Sequence, residues 1–303
     1  MPRFAAPDPR SLPRRTRLRD LAYIWLRYWI RHGRPPRLFV PRRFSEKLQW
    51  RKLFDLDPRH TALCDKLALR DFLADRVGTD MSVPLLWHGA SPEEIPFDDF
   101  VVPYVLKCNH GNAMNVFIDE PRAVDRAAVR AKVARWLARN HGRSHVEPGH
   151  IGIVPRIMVE AMLREADGRP PREYKVFVFA GKAALIAVRI NVDHLVHSNL
   201  HVLPDWTPTP LRLDTPLYEG PMPERPAAFD RIVSIAETVA AGFDHLRVDF
   251  LECQGRLHLG EVSLYPQSGM VPLSPDSFDF RLGELWPLPG SRCRAIAAIV
   301  GWR

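Results

Sequence analysis

The amino-acid sequence predicts an α+β fold in which helices and antiparallel strand pairs are segregated along the chain. Amphipathic helical segments occur apart from the strands, and two strand pairs read as hairpins around single glycines, Gly181 and Gly255. With 303 residues, 46% apolar and 26% charged, the chain can bury a sizeable core. This composition excludes disordered and fibrous proteins.

The N-terminal half alternates predicted helices with short apolar runs. A helix at 21–31 ends before Gly33, and a second helix begins at Ser45, its candidate N-cap. Further helices are predicted at residues 61–74 and 125–140, and strands at 101–106 and 116–118. The strands flank a polar loop at 110–115.

The C-terminal half is dominated by the two hairpins. The first pairs residues 174–179 with 183–190, and the second covers 246–264. A helix is predicted at 227–241, residues 156–164 are ambiguous, and 193–225 have an irregular pattern rich in Pro and His. We expect three regions: a basic, partly helical N-terminal arm at 1–60 and two subdomains at 61–155 and 156–303.

Positive charge is concentrated at the N-terminus. Residues 1–60 hold 16 Arg and Lys against 5 Asp and Glu, a net charge of +11, whereas the remainder carries −3. Such asymmetry predicts an anionic partner. Residues 1–43 also contain Tyr23, Trp25, Tyr28 and Trp29, which would either lie at a membrane surface or pack on the body. An anionic polysaccharide is a further candidate partner, and no nucleic acid is expected.

Targeting signals and cysteine spacing point to the same compartment. No apolar run approaches the roughly 20 residues of a membrane span, and no signal peptide is recognisable. Four cysteines, at 64, 108, 253 and 293, lack metal-type spacing and predict reduced thiols. A cytoplasmic location is expected, with the inner membrane face as an alternative.

The second hairpin carries two carboxylates. If its turn is centred on Gly255, Asp249 and Glu261 are directly opposed, with Cβ atoms roughly 4.5–5.5 Å apart. Ser263 and Arg247 share their face, and Val248, Phe250, Val262 and Leu264 form the apolar face. Hard oxygen ligands in this arrangement suit Mg²⁺. The alternative is a surface pair whose repulsion is relieved by Arg247.

Two lysines interrupt apolar strands, where a charge is costly unless it meets an anion. Lys107 precedes the loop at 110–115, whose backbone N–H groups would suit phosphate. A turn centred on Gly181 places Lys175 on one face with Glu173 and Arg189. Each lysine alone would equally fit an edge strand. Together with the carboxylates, they suit a nucleoside triphosphate with magnesium.

These segments resemble the TupA-like (teichuronopeptide-biosynthesis) ATP-grasp amidoligases over about residues 44–289. The resemblance is carried by Phe44-Ser-Glu-Lys-Leu-Gln-Trp, Asp65-Lys66, Val105-Leu-Lys-Cys-Asn-His-Gly, Pro155-Arg-Ile-Met-Val-Glu160, Tyr174-Lys-Val-Phe-Val-Phe-Ala-Gly-Lys182, Arg247-Val-Asp-Phe and Gly260-Glu-Val-Ser-Leu-Tyr-Pro. It implies an ATP-grasp fold, in which two α+β subdomains with antiparallel sheets clamp ATP.

The resemblance also implies roles for individual residues. The nucleotide would be bound by Lys66, Lys107, His110, Gly111, Asn115 and Glu160, and the metal by Asp249, Glu261 and Ser263. Lys175 would lie near the γ-phosphate, and Arg189 near the acceptor carboxylate or acyl phosphate. The loop His110-Gly-Asn-Ala-Met-Asn115 contains less glycine than the family's His-Gly-Ser-Gly-Gly-Asn, and Ser263 stands where many ATP-grasp enzymes have Asn.

The implied activity is an ADP-forming carboxylate–amine ligase with ATP and Mg²⁺ as cofactors. Its substrates would be small or polymeric carboxylates and amines, used to build cell-surface polysaccharide or peptide polymers. Two rival functions remain: a glycosyltransferase of a surface-polysaccharide pathway, which would use the same carboxylate pair with a sugar nucleotide, and a non-catalytic module that binds anionic surfaces.

Overall fold

The computed structural model describes residues 14–191, 197–213 and 216–288. Eight helices occur in these ranges. They are α1 (Arg14–His32), α2 (Phe44–Phe54), α3 (Arg59–Cys64), α4 (Lys66–Val77), α5 (Arg126–Leu137), α6 (His141–His145), α7 (Phe229–Ala240) and α8 (Ser277–Glu284). No helix in these described ranges has both the length and the apolarity needed to cross a bilayer.

Ten strands form two antiparallel sheets. They are β1 (Leu85–Gly89), β2 (Tyr104–Cys108), β3 (Asn115–Ile118), β4 (Ile157–Ala161), β5 (Arg172–Phe179), β6 (Lys182–Asn191), β7 (His197–Val202), β8 (Pro208–Thr209), β9 (His245–Cys253) and β10 (Arg256–Ser263). The small sheet has the order β1-β4-β2-β3 and the large sheet the order β10-β9-β5-β6-β7-β8. The predicted α+β fold with antiparallel sheets is confirmed.

Both predicted hairpins have the expected pairing at their polar positions. Asp249 pairs with Glu261 and Glu173 with Arg189. The turns themselves contain two residues each, Ala180-Gly181 and Gln254-Gly255, all with positive φ. Left-handed backbone at both central positions is the geometry that fits the right-handed twist of a hairpin. A register shift farther along each hairpin, such as that between Leu259 and Glu261, restores the pairing expected for a turn centred on glycine.

The large sheet separates two apolar clusters because its side chains alternate between faces. On one face, Val176, Val248 and Phe250 pack with α4 and α7 in the main core. This confirms the predicted apolar face of the second hairpin. On the opposite face, Phe177 and Leu185 pack against α2 and α8. The charged residues Lys175, Arg247 and Asp249 continue that second face towards β10.

Helix α1 is attached to the body along one stripe. Ile24 and Tyr28 are fully buried, and Tyr28 Oη lies 2.8 Å from Ser45 Oγ. His32 Nε2 lies 3.2 Å from the Gly269 carbonyl oxygen. Trp29 and Ile30 remain exposed on the other side. The interpretation that the aromatics pack on the body therefore holds for one stripe of the helix, and membrane contact of the exposed stripe stays a prediction.

Several local predictions differ from the structure. Ser45 is not an N-cap: it lies inside α2, where its hydroxyl donates to Asp279. The helix predicted at 61–74 is two helices, because Asp65 leaves helical geometry to cap α4. Strands β7 and β8 form within the segment predicted to be irregular, of which residues 193–196 and 214–215 lie outside the description.

The position of strand β4 concerns the predicted boundary between the subdomains at 61–155 and 156–303. The ambiguous segment 156–164 contains this strand, which pairs with β1 and β2 in the small sheet. The expected division at 155 would place it in the second subdomain instead. Cys64, Cys108 and Cys253 are buried free thiols, as predicted, and Cys293 lies outside the described residues.

Candidate functional site

A cleft lies between α4, the small sheet and β10 of the large sheet. The Leu259 amide donates to the Met81 carbonyl at 2.8 Å, which ties β10 to the segment that leads into β1. Five predicted site residues line this cleft: Lys66, Lys107, Asn115, Glu160 and Glu261. The structure therefore brings together residues that are almost 200 positions apart in the sequence.

Lys66 is positioned by the N-terminus of α4. Asp65 caps this helix by accepting from the Leu67 amide at 3.0 Å, and the Asn109 side-chain amide donates to Asp65 at 2.9 Å. The Lys66 backbone amide donates to the Asn109 carbonyl at 3.1 Å. Lys66 Nζ then reaches the Gly111 carbonyl at 2.6 Å. The first turn of α4 and the loop at 110–115 are thus one hydrogen-bonded unit.

Glu160 lies between two cations. Lys107 Nζ is 2.6 Å from one carboxylate oxygen, and Arg70 Nη1 is 3.4 Å from the other. Glu160 is 8% exposed, so its charge depends on these partners rather than on solvent. Sequence analysis did not identify Arg70. Arg70 lies four residues after Lys66, so both cations lie on one face of α4. This spacing is the sequence feature from which Arg70 could have been predicted.

The loop at 110–115 presents its backbone rather than its histidine. His110 is 3% exposed, and its Nε2 lies 3.2 Å from the Trp136 carbonyl oxygen. Burial lowers the pKa of this imidazole below its ordinary value. Ala113 has a φ of 56°, a left-handed conformation usually taken by glycine. The exposed Asn115 begins β3 opposite Lys107.

Lys175 belongs to a second charged cluster, on the large sheet. Its Nζ lies 2.9 Å from Glu173 and 3.4 Å from Asp249, and Arg189 contacts Glu173 at 3.1 Å. Arg247 donates to both oxygens of Asp249, at 2.7 Å each. Burial would raise the pKa of Asp249, but Arg247 and Lys175 outweigh it and hold this pKa below its ordinary value.

The donor set fits magnesium at Glu261 more directly than at Asp249. Glu261 lines the main cleft and a narrower recess that also contains Lys66 and Ser263. Its carboxylate and the Ser263 hydroxyl are oxygen donors of the kind that Mg²⁺ prefers. Asp249 already shares its charge with Arg247 and Lys175. Arg247 thus relieves the charge of Asp249, as the alternative interpretation expected, but Asp249 is buried and the two carboxylates are not a surface pair. The metal site at Glu261 stays a prediction.

The chain is similar to several solved structures. The chain has 16% identity and a TM-score of 0.44 with a D-alanine–D-alanine ligase from Bacillus anthracis complexed with ATP, covering 77% of this chain and 67% of that one. The ATP-grasp ligase PsnB complexed with a precursor variant, Mg and ADP has 16% identity and a TM-score of 0.41, covering 84% of this chain and 65% of that one. The ADP complex of purK, an N5-carboxyaminoimidazole ribonucleotide synthetase, has 13% identity and a TM-score of 0.40, covering 72% of this chain and 50% of that one.

The chain thus spans between half and two thirds of the length of these structures. No curated protein matches it. The profile of the TupA-like ATPgrasp family matches residues 46–286, which is most of the chain and includes both charged clusters. The two antiparallel sheets with a charged cleft between them agree with that match. The chain therefore belongs to the TupA-like ATP-grasp family.

Proposed function

We propose that this protein is an ATP-dependent carboxylate–amine ligase. ATP would phosphorylate a substrate carboxylate, releasing ADP and giving an acyl phosphate, and an amine would then displace the phosphate to form an amide. The observation that carries the proposal is the single cleft in which Lys66, Lys107 and Arg70 face Glu160 and Glu261. Family membership supplies the reaction class.

The lysines suit the polyphosphate of a nucleotide. Lys66 is held by a backbone carbonyl and Lys107 by Glu160, so both ammonium groups are already directed into the cleft. Phosphoryl transfer depends mainly on positioning and on neutralising charge, which these groups would provide. Glu160 would accept hydrogen bonds from the adenine or ribose end of the nucleotide. The backbone of 110–115, with Gly111 and Asn115, would approach the phosphates.

Magnesium would be held by Glu261, Ser263 and, once Lys175 turns towards phosphate, Asp249. The ion would supply charge neutralisation on the phosphate oxygens. Lys175 has two acidic partners, Glu173 and Asp249, and would exchange one of them for the γ-phosphate. Arg189, with its side chain 34% exposed, would orient the acceptor carboxylate or the acyl phosphate.

The family's association with teichuronopeptide assembly supports a narrower proposal for the pathway. The substrates would belong to cell-surface polysaccharide or peptide-polymer biosynthesis in the cytoplasm. The basic arm at 1–43 would recruit an anionic polymer or membrane face. Both charged clusters lie outside this arm, so recruitment and chemistry are separable.

Thermal shift with nucleotides tests the proposal. MgATP should raise the melting temperature because a ligand that binds only the folded state stabilises it, whereas UDP-sugars should have much less effect. Lys107→Met should abolish the MgATP shift. Lys182→Met is the matched control, since the side chain of Lys182 is 82% exposed and remote from the cleft. A larger shift with UDP-sugars than with MgATP would favour the glycosyltransferase.

A further inference from the structure

A second cluster of metal-binding side chains lies outside the cleft residues assigned above. It consists of His141, at the start of α6, and Glu147 and His150, in the loop that follows. Glu147 is 2% exposed and each histidine 9%. One ligand atom from each residue lies within 4.8 Å of the other two.

The distances match a zinc site. Nε2 of His141 and Nε2 of His150 lie 3.3 and 3.6 Å from the same oxygen, Glu147 Oε2. Zinc–ligand bonds of roughly 2.0–2.1 Å with tetrahedral angles place neighbouring ligand atoms roughly 3.3–3.5 Å apart. Both His–Glu distances are therefore close to those of a metal-bound cluster.

Hydrogen bonding within the cluster does not account for these atoms. Glu147 Oε2 and His141 Nε2 are buried and lie 3.3 Å apart, but the geometry between them is not that of a good hydrogen bond, and neither has another hydrogen-bond partner among the described residues. Leaving buried polar atoms unpaired is destabilising, because these atoms lose their hydrogen bonds to water and gain none in the protein. A shared cation would satisfy both atoms at once.

The other oxygen of Glu147 is fixed separately. Ser268 Oγ donates to Glu147 Oε1 at 2.6 Å, and Lys52 Nζ lies 3.6 Å from the same oxygen. Such outer contacts orient a carboxylate ligand and leave one oxygen free for the metal.

We infer that His141, Glu147 and His150 form a transition-metal site that takes Zn²⁺. Two imidazoles and one carboxylate favour zinc over magnesium, which prefers oxygen ligands. Three protein ligands leave a fourth position for water.

The site lies behind the loop at 110–115. A Cβ atom added at Gly111 would come within 3.2 Å of His141 Cβ. His150 also lines the narrow recess that contains Lys66 and Glu261. Zinc at this position would hold the segment 141–150 against the loop and the turn at Ser268, and so support the cleft from behind.

Calorimetric titration of EDTA-treated full-length protein with ZnCl₂ tests the inference. We expect one ion per chain, no competition from excess MgCl₂, and a raised melting temperature. His141→Gln and His150→Gln should each weaken binding by more than about 100-fold, since loss of an outer partner alone costs 10–100-fold. Co²⁺ should give the intense visible absorption of a tetrahedral site.

His145→Gln is the matched control. Its ring stacks on His141 at 4.3 Å but lies outside the ligand set, so zinc affinity should be retained. Glu261→Gln should also retain it, which separates this site from the proposed magnesium site. Stoichiometric binding that persists in both the His141 and His150 variants, or no binding by the native protein, would overturn the inference.

Discussion

Asp249 and Glu261 face each other across β9 and β10 but have different electrostatic surroundings. Arg247 and Lys175 hold Asp249, which is 3% exposed. Glu261 has no ion pair among the described residues and lines the cleft. Removing one charge from this pair should therefore have different consequences at the two positions.

Glu261→Gln should lower ATP turnover by at least about 100-fold and leave stability nearly unchanged, because one electrostatic stabiliser is lost from an accessible site. Asp249→Asn should also reduce turnover. It should lower the free energy of unfolding by about 3 kcal/mol as well, because Arg247 is left as a buried, uncompensated charge. ADP release and urea unfolding measure the two effects. Turnover within a few-fold of the native protein in Glu261→Gln would remove that residue from the proposed metal site.

The site residues differ in how far sequence could predict them. Alternation along two hairpins was enough to place Lys175, Glu173 and Arg189 on one face and to oppose Asp249 to Glu261. The contact of Lys107 with Glu160 and Arg70 depends on how β2, β4 and α4 pack together. Local periodicity contains no information on that packing. Burial of the His110 ring against α5 was unpredictable for the same reason.

Helix α1 combines an attached stripe with an exposed aromatic one. Ile24 and Tyr28 are fully buried, whereas Trp25 and Trp29 are 38% and 45% exposed and contact each other edge to face at 5.3 Å. Ile30 extends this apolar surface, and the arm is basic. Such a surface is typical of a helix that lies at an anionic membrane interface.

We expect Trp25→Ala/Trp29→Ala to weaken co-sedimentation with anionic vesicles by about tenfold or more, without loss of MgATP binding. Each indole would otherwise insert apolar area into the interface. The variant is a better test than deletion of residues 1–43, because deletion also removes the buried Tyr28 and the Arg34–Asp279 ion pair.

Salt provides the accompanying control. Electrostatic attraction to the vesicle should decline as ionic strength rises, since exposed charges are screened within about 10 Å at 0.1 M salt. The double variant keeps the basic residues of the arm, so its residual binding should still favour anionic over neutral vesicles at low salt and lose that preference as salt rises. Unchanged sedimentation of the variant would mean that the exposed indoles have no role in recruitment.

Elements were predictable where one local pattern dominated. Strands β5, β6, β9 and β10 alternate between two apolar clusters and were recognised from that pattern. Asp65 was missed as a helix boundary because capping competed with an otherwise continuous helical segment. Strand β7 is stabilised by pairing with β6 and strand β8 by pairing with β7, rather than by their own composition. Strand β4 is stabilised by its position between β1 and β2.

At the scale of the whole molecule, several histidines of the described residues are buried. His32, His60, His201 and His245 are each at most 9% exposed and lie in different parts of the fold. Burial lowers the pKa of His32 and His201 to about 4 and that of His60 and His245 to about 3. All four are therefore neutral in the folded state at neutral pH.

These histidines predict acid lability. An unfolded imidazole takes up a proton near pH 6.5, whereas the folded one does so only at pH 3–4, so the unfolded chain binds more protons between these values. Stability should therefore fall as pH falls through this window. The free energy of unfolding falls by up to about 1.4 kcal/mol per pH unit for each histidine, and by about 5 kcal/mol per pH unit for all four. Because total stability is roughly 5–15 kcal/mol, we expect unfolding near pH 5.

Urea unfolding at pH 7, 6 and 5 measures this dependence. His201→Leu should reduce the slope by about 1.4 kcal/mol per pH unit, because His201 is 1% exposed and its burial removes one proton from the folded state. His88→Leu is the control, because His88 is exposed and its loss should leave the slope unchanged. A free energy of unfolding that is constant from pH 7 to 5 would show that the folded protein accommodates these protons, and that burial does not keep the imidazoles neutral.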